Sequence, residues 1–202
     1  MKLPTRFVVL LGLMLTTLCS QAEPLTLDEL GKQLSQHAVV RGPFIQEKHL
    51  RALPQPLTST GEFVLTADAS LLWKLRKPLQ QDYRIDSKGI ARRTPDGWQM
   101  QPGRDVAAQQ SRLFLDVLKG DHTGLARDFD LQLSGDAKAW TLTLLPTSML
   151  LKQVFSRIDI SGGDLVERIE LHETQGDRTL MRMPASVVDD SLSEQERSDL
   201  AR

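Results

Sequence analysis

The chain has almost no cysteine. Cys19 is the only one among 202 residues, and it lies in an apolar N-terminal segment whose removal would leave none. A protein without cysteine cannot form disulfide bonds, so a hydrophobic core has to hold the remainder together. The remaining length is sufficient for one domain to bury such a core.

The chain also lacks an excess of positive charge. It has 25 Lys and Arg residues against 26 Asp and Glu residues, and its formal net charge is −1. Nucleic-acid binding usually requires a clustered excess of Lys and Arg. We therefore expect no nucleic-acid partner.

The motifs of common catalytic and metal sites are missing. No HExxH, GxSxG, P-loop or GxGxxG pattern occurs, and the four histidines are scattered along the chain. Asp121 and His122 come nearest to an acid–base pair, but their place at a helix end favours contacts with the last helical carbonyls. We expect no enzyme, no metal site and no cofactor.

The N-terminal residues 1–22 contain the only apolar run that could enter a membrane, and they have the form of a secretory signal peptide. A positively charged start precedes the apolar stretch, and Ser20 and Ala22 are the small residues that signal peptidase requires. Cleavage after Ala22 would deliver the protein to the periplasm. A lipid anchor on Cys19 is the rival interpretation, but the bulky Leu18 before it disfavours that processing.

The rest of the chain shows no repeat and no low-complexity segment. We expect one folded domain over residues 23–184 and an acidic tail over residues 185–202. Ser191 and Glu194 could cap a short helix in this tail, but its acidic composition favours a frayed, solvated end.

Hydrophobic periodicity predicts two principal helices. The first begins at a capping box and presents Leu30 and Leu34 at helical spacing before Gly42 ends it. The second presents Leu113 and Val117 on its apolar face. The segments between and after them alternate apolar and polar residues over short stretches, separated by Gly and Pro turns. Nine or ten antiparallel strands curved around helices are expected, which places the fold in the α+β or mainly β class.

Alternate positions of these strands form one apolar face. Its members are Phe63, Leu65, Leu71, Trp73, Leu75, Tyr83, Ile85, Leu142, Leu144, Ile158 and Ile160. Two interpretations remain open. The helices could fill the whole space as an ordinary core, or they could cover it incompletely and leave a cavity for an acyl chain.

The order of several short motifs is more specific than their periodicity. The motifs are Phe44-x-Gln46, Ser59-x-Gly61-x-Phe63, Leu71-x-Trp73 with Lys77-Pro78, Phe114-x-x-x-Leu118-x-Gly120-Asp121, Trp140-x-Leu142-x-Leu144-x-Pro146, and Ile169-x-Leu171 followed by Gly176-Asp177-Arg178-Thr179. In this order, over residues 26–183 and behind a signal peptide, they resemble the LolA-type family of periplasmic lipoprotein carriers.

The resemblance implies an incomplete half-barrel covered by two or three lid helices, with acyl chains bound between sheet and lid. The apolar face of the strands would then bind the cargo, and the lid would consist of Leu30, Leu34, Leu113 and Val117. It also implies a monomer that receives lipoproteins from an inner-membrane release complex and delivers them to an outer-membrane receptor.

Two features depart from the family. Its members carry an Arg-Pro pair just before the F-x-W strand, where the arginine is associated with lid closure, but residues 66–70 here contain no basic residue. Lys74 and Arg76 lie nearby, yet the alternation predicts that they point to the opposite face. The chain after Met183 is also short and acidic. These differences indicate a divergent member whose cargo is either lipoproteins or another lipid-linked product.

A second function is compatible with the same half-barrel. A periplasmic sensor could use it to detect mislocalised lipoproteins or envelope stress and act through a protein partner. A carrier should co-purify with lipid or acylated protein, whereas a sensor should co-purify with that partner.

Overall fold

In the described part of the chain, the strands form one antiparallel sheet that does not close into a barrel. The computed structural model describes residues 25–101 and 115–201. The proposed signal peptide and Leu113 lie outside the described residues. The expected class, a mainly β half-barrel covered by helices, is confirmed.

The described residues contain five helical segments and twelve strands. The helices are α1 (Leu27–Ser35), α2 (described over residues 115–119), α3 (His122–Leu125), α4 (Met149–Val154) and α5 (Glu194–Leu200). The strands are β1 (Val39–His49), β2 (Leu57–Thr66), β3 (Leu71–Lys77), β4 (Gln81–Asp86), β5 (Gly89–Thr94), β6 (Gly97–Met100), β7 (Phe129–Asp136), β8 (Ala139–Pro146), β9 (Phe155–Gly162), β10 (Val166–Glu173), β11 (Arg178–Arg182) and β12 (Val187–Asp189).

Neighbours in sequence are mostly neighbours in the sheet, in the order β6-β5-β4-β3-β2-β1-β11-β10-β9-β8-β7. The pairing of β1 with β11 joins the two halves of the meander. Over the described residues, β6 and β7 do not pair with each other, so the sheet keeps two edges. Short turns are sufficient to connect such antiparallel neighbours.

Helix α1 begins as the sequence predicts. The Glu29 N–H donates to Thr26 Oγ1 at 3.3 Å, and the Thr26 N–H donates to Glu29 Oε2 at 2.9 Å, which completes the capping box. The predicted end of this helix at Gly42 is wrong, because α1 ends at Ser35 and β1 already begins at Val39.

Tertiary pairing explains this difference. β1 pairs with β2 along almost its whole length, including Gly42 and Pro43. Pro43 has no N–H to give to a ladder, and it occupies the stretch, residues 42–44, with which neither β11 nor β12 pairs. The proline therefore interrupts no pairing that the sheet makes there.

The expectation of a frayed C-terminal tail is also wrong. Residues 187–189 form β12 and pair with the start of β1. Helix α5 follows, and its capping box joins Ser193 with Glu196, not Ser191 with Glu194. Leu192 and Leu200 pack against a small cluster on the sheet that includes Leu72. The tail is ordered because the sheet offers it both a strand partner and an apolar surface.

The two faces of the sheet have different covers. The inner face carries the main hydrophobic core, against which α1 and α2 pack. The outer face of the first strands carries a second cluster of Val39, Val64 and Leu72, with Trp98 packed beside it. The alternation of adjacent residues between these clusters, as at Val64 and Leu65, follows the two-residue period of a strand.

Candidate functional site

Trp73 lies at the centre of the inner face in the first half of the sheet. The ring of Phe44 stacks on it at a centroid distance of 3.7 Å, and Phe63 lies 6.4 Å away on the neighbouring strand. Gly61 makes room for this group, because a Cβ there would lie 2.7 Å from the Phe44 ring and 2.1 Å from the Lys74 carbonyl oxygen. The glycine is therefore required by packing.

The predicted sheet residues come together in one apolar cluster. Phe63, Leu65, Leu71, Trp73, Ile85, Leu142, Leu144, Ile158 and Ile160 are buried, and Leu75 and Tyr83 are half-buried and pack against them. They derive from both halves of the sheet, which the pairing of β1 with β11 unites. Their role in binding a ligand stays a prediction.

The predicted lid residues reach the same cluster where they are described. Leu30, Leu34 and Val117 are buried in it, and Leu113 lies outside the described residues. Helices α1 and α2 meet closely, since a Cβ on Gly31 would lie 2.9 Å from the carbonyl oxygen of Gly120. These contacts place two helical segments over the inner face.

Polar contacts fasten α1 at its two ends. Gln33 Nε2 donates to the carbonyl oxygens of Ala137, at 3.1 Å, and Gly163, at 2.7 Å, which lie in two turns at one end of the strands. At the other end of the helix, His122 Nε2 lies 3.1 Å from Asp28 Oδ1. The lid is thus attached through a few specific groups as well as through its leucines.

Asp121 meets the sequence expectation only through its backbone. The Asp121 N–H donates to the Asp116 carbonyl oxygen of α2 at 2.9 Å, while the Asp121 side chain caps the start of α3. Hydrogen bonds from the Gly124 N–H and the Thr123 hydroxyl, at 2.9 and 2.8 Å, hold the pKa of the Asp121 carboxyl below its usual value. His122 turns to α1, so the two side chains have separate structural tasks.

Two small gaps lie beneath the lid in the described part of the chain. One of about 10 Å³ lies between Leu30, Val117 and the indole of Trp140. The other, of about 60 Å³, lies between Leu34, Leu65 and neighbouring residues. Pockets for ligands of drug size occupy roughly 300–1,000 Å³. These two gaps are therefore too small for an acyl chain while α1 stays in place.

The segment that replaces the family's Arg-Pro pair is a self-contained turn. The Thr66 hydroxyl contacts the Asp68 carboxylate and accepts a hydrogen bond from the Ser70 N–H at 3.1 Å. Lys74 points to the outer face, as predicted, and lies 3.4 Å from Asp199. Arg76 also points there and contacts Asp82 at 2.7 Å. Neither cation substitutes for the missing arginine at the lid.

Several inner-face residues were not among the predicted site residues. These are Val40, Phe44, Phe129, Trp140, Phe155, Val166, Ile169, Leu171, Met181 and Met183. The same alternation marks many of them in the sequence. However, only the sheet order shows that β1, β11 and β10 lie side by side in the middle of the sheet, so that their apolar residues join the inner face.

Nothing in the described residues resembles a metal centre or a membrane-spanning helix. Within residues 25–101 and 115–201, no group of three or more His, Cys, Asp or Glu side chains is placed to hold a metal ion. In the same ranges, no helix has the length and hydropathy needed to cross a bilayer.

Comparison with known families decides the relationship of the chain. Residues 19–195 match a family described as outer membrane lipoprotein carrier protein LolA-like. The chain belongs to this LolA-like family. The family comprises periplasmic lipid- and lipoprotein-binding proteins, which are not enzymes. Comparison with curated proteins gives no match.

Solved structures share the fold of this LolA-like chain. The structure of the Pseudomonas aeruginosa MucA/MucB complex matches with 16% identity and a TM-score of 0.51, covering 84% of this chain and 58% of that one. A structure of MucB matches with 16% identity and a TM-score of 0.52, over 84% of this chain and 59% of that one. The chain thus spans less than two thirds of the length of these relatives.

A LolA superfamily protein from Nitrosomonas europaea also matches. The identity is 8%, the TM-score is 0.47, and the match covers 85% of this chain and 96% of that one.

Proposed function

We propose that this protein is a periplasmic carrier that binds the acyl chains of lipoproteins, or of another lipid-linked cargo, and transfers them from the inner to the outer membrane. The observation that carries the proposal is one apolar inner face covered by the lid residues of α1 and α2, in a chain of the LolA-like family. Leu30 and Leu34 are the buried residues of α1.

Energetics favour a lid that cargo can displace. Burial of a leucine contributes about 1.5–3 kcal/mol, and a hydrogen bond such as those of Gln33 contributes about 1 kcal/mol. An acyl chain gains about 0.8 kcal/mol for each buried methylene. A chain of ordinary length therefore outweighs the contacts of α1, and the inner face can exchange one apolar partner for the other.

The same exchange explains release. When cargo leaves, Leu30 and Leu34 recover the apolar surface that it covered, so the free energy of returning the lid offsets part of the free energy of binding. Moderate affinity is what a carrier requires, because cargo held without competition could not be handed on. In this proposal, the arrangement with α1 packed on the inner face is the closed position of the lid.

The lid closes here without the family's arginine. Gln33 bonds the turns that contain Ala137 and Gly163, and Asp28 meets His122. We propose that these contacts take over the task of holding α1 shut. They lie at both ends of the helix, so either end could open first.

The direct test is the chemistry of what the protein carries. Protein purified natively from the periplasm is extracted with organic solvent, and the extract is analysed by mass spectrometry. We expect acylated molecules in stoichiometric amounts. Protein unfolded and refolded without lipid provides the control, and it should bind a fluorescent fatty acid that native cargo displaces. Absence of acyl species together with failure to bind the fluorescent fatty acid would contradict the proposal.

A tether tests the lid. In a Cys19→Ser background, Gln33→Cys and Ala137→Cys are joined by a short thiol-reactive cross-linker, since Gln33 Nε2 and the Ala137 carbonyl oxygen are 3.1 Å apart. We expect the joined protein to lose fatty-acid uptake. The same double variant without cross-linker is the matched control, and it should bind fatty acid at least as well as the unsubstituted protein, because it lacks the Gln33 hydrogen bonds that hold α1 shut. Equal fatty-acid uptake by the cross-linked and the uncross-linked protein would show that cargo does not enter by displacing α1.

A regulatory module that acts through a protein partner is the second candidate. It is supported by the shared fold with MucB, which has been solved in complex with MucA. Affinity purification under native conditions separates the candidates, because a module of this kind should retain a stoichiometric protein partner that carries no acyl group.

A further inference from the structure

Exposed apolar side chains collect at one end of the sheet, which we call the basal end. It contains the β1–β2 loop, the β10–β11 turn and helix α4. Met149 is 75% exposed, Leu150 57% and Leu53 43%. We name these three side chains, together with the cations Arg51 and Lys152, the basal ridge.

Hydrogen bonds join the parts of the basal ridge into one surface. Arg51 Nη1 donates to the Gln175 carbonyl oxygen at 3.0 Å. The Thr174 hydroxyl donates to the Lys152 carbonyl oxygen at 3.0 Å. The Thr174 backbone N–H donates to the Val154 carbonyl oxygen, also at 3.0 Å. The β10–β11 turn therefore bridges Arg51 on one side and α4 on the other.

The fold holds the exposed residues of α4 outward. Ser148 caps the helix by accepting from the Leu151 N–H at 3.3 Å, while Leu151 and Val154 pack against the main core. Phe155 is buried directly after the helix. Because these inward residues anchor α4, Met149 and Leu150 project to solvent as a consequence of its register.

The charge of the basal ridge has one sign. Residues 48–58 and 147–157 contain no acidic residue. Lys48 and Arg157 in these segments pair with Glu173 and Asp159, at 3.7 and 2.8 Å, so Arg51 and Lys152 are the cations that the ridge offers to a ligand. The nearest acid of the bridging turn, Asp177, already accepts a hydrogen bond from the Arg51 N–H at 2.9 Å. Apolar tips surrounded by Lys and Arg are the composition that binds anionic bilayer surfaces.

We propose that the basal ridge docks the protein onto an anionic lipid surface. Met149, Leu150 and Leu53 would enter the boundary between headgroups and acyl chains, and Arg51 and Lys152 would meet the lipid phosphates. The ridge is built from the tips of separate connections and combines apolar side chains with positive charge. The cores of protein interfaces are depleted in Lys, whereas anionic headgroups attract Lys and Arg, so a lipid surface is the better occupant.

This inference goes beyond the proposed carrier function and does not require it. The basal ridge lies outside the inner face, so vesicle binding and acyl-chain binding can fail separately. If both hold, the ridge would bring the protein to the membrane surface from which a cargo is taken or to which it is given.

Vesicle flotation tests the assignment. The protein, in the form in which it is purified from cells, is mixed with vesicles of phosphatidylethanolamine and phosphatidylglycerol, or of phosphatidylcholine alone. We expect binding to the anionic vesicles that weakens with salt. M149S together with L150S should weaken the partition coefficient by roughly tenfold or more. R51Q and K152Q should each weaken it about fivefold.

Met100 provides the matched control. It is 51% exposed, similar to Leu150, but lies at the far end of β6 from the basal ridge. M100S should bind vesicles as the unsubstituted protein does, and circular dichroism should show that all variants fold. The proposal is overturned if the unsubstituted protein binds neither kind of vesicle, if M149S with L150S has no effect, or if M100S weakens binding equally. Loss of a co-purifying protein in the ridge variants, without vesicle binding by any form, would assign the surface to a protein partner instead.

Discussion

Helices α1 and α5 cover opposite faces of the same sheet, and they are held by different forces. Helix α1 lies on the inner face through Leu30 and Leu34, with few polar contacts. Helix α5 packs the half-buried Leu200 against the outer face, but its segment is held mainly by charge. Another apolar molecule can therefore replace α1 on the inner face, whereas it cannot replace α5 on the outer face.

The charges around α5 form two groups. Arg41 meets the carboxylates of Asp189 and Glu196 and donates to the Ser191 carbonyl oxygen at 2.9 Å. Asp199, which is 5% exposed, lies 3.4 Å from Lys74 and 3.2 Å from Arg93.

An acyl chain offers no partner for these groups, so cargo that displaces α1 should leave α5 in place. The guanidinium groups of Arg84 and Arg93 also lie over the Trp98 ring, at 5.3 and 5.1 Å from its centroid. Trp98 therefore reports on the environment of the outer face.

The largest expected effect concerns the inner face itself. Trp73→Asp places a charge on the apolar inner face of β3, where Phe44 now stacks on the indole. We expect a loss of several kcal/mol in the free energy of unfolding, measured by urea denaturation with circular dichroism. Fatty-acid binding should disappear as well.

Trp73→Phe provides the control for this substitution. It keeps an aromatic ring beside Phe44 and should cost less than Trp73→Asp. A Trp73→Asp protein that is as stable as the unsubstituted chain and binds fatty acid normally would disprove the assignment of Trp73 to the floor of the site.

A smaller effect is expected on the outer face. Asp199→Ala removes the shared partner of Lys74 and Arg93. Because Arg93 is partly exposed and solvent relieves its loss, we expect about 1–3 kcal/mol of destabilisation. Amides of residues 187–200 should exchange faster with deuterated solvent, while fatty-acid binding stays unchanged.

If Asp199→Ala weakened fatty-acid binding as well as the α5 segment, the two covers would not be independent, and the contrast between α1 and α5 would be wrong. Arg76→Ala is a suitable control, because Arg76 pairs with Asp82 on the same face but does not touch the C-terminal segment.

The smallest effect is expected from mild acid. Burial alone would raise the pKa of Glu196, but hydrogen bonds from Ser193 and the charge of Arg41 outweigh it and hold the pKa below the usual value. Bonding from the Asp190 N–H and the charge of Arg41 likewise lower the pKa of Asp189. A lowered carboxyl pKa stabilises the folded form above the ordinary value of the group and loses that contribution as pH falls.

The α5 segment should therefore loosen below the ordinary glutamate pKa of 4.5, before the sheet unfolds. Fluorine NMR of fluorotryptophan-labelled protein can follow Trp98 during an acid titration, with Trp98→Phe used for assignment. In Arg41→Gln the transition should shift to higher pH. A Trp98 signal that changes only together with those of Trp73 and Trp140 would show that α5 has no separate acid transition.

The sequence predicted the inner face better than the outer one. Alternation placed residues such as Leu71 and Trp73 together on one side, because a half-buried strand has a period of two residues that any single segment reveals. It also placed Lys74 on the opposite side. It did not predict what Lys74 meets there, because Asp199 is distant in the chain and its own segment is polar and acidic.

The ends of the helices and strands were harder to predict from the sequence than their presence. Gly42 and Pro43 are typical of a helix end, yet both lie inside β1 because β2 pairs with that stretch. Helix α4 escaped notice because its six residues are too few for a helical period. The small volume of the gaps beneath α1 could not be predicted either, since the pattern that marks an apolar face is the same for a filled core and for a hollow one.

By itself, the sequence determined the class of fold, the apolar face of its strands, and the family, since strand alternation, helix capping and motif order are local properties of the chain. Only the tertiary structure decided that the lid fits closely on that face, that the acidic tail is an ordered cover for the other face, and that Met149, Leu150 and Leu53 stand together at one end. Each of these depends on contacts between distant residues, and sheet pairing alone establishes which distant residues meet.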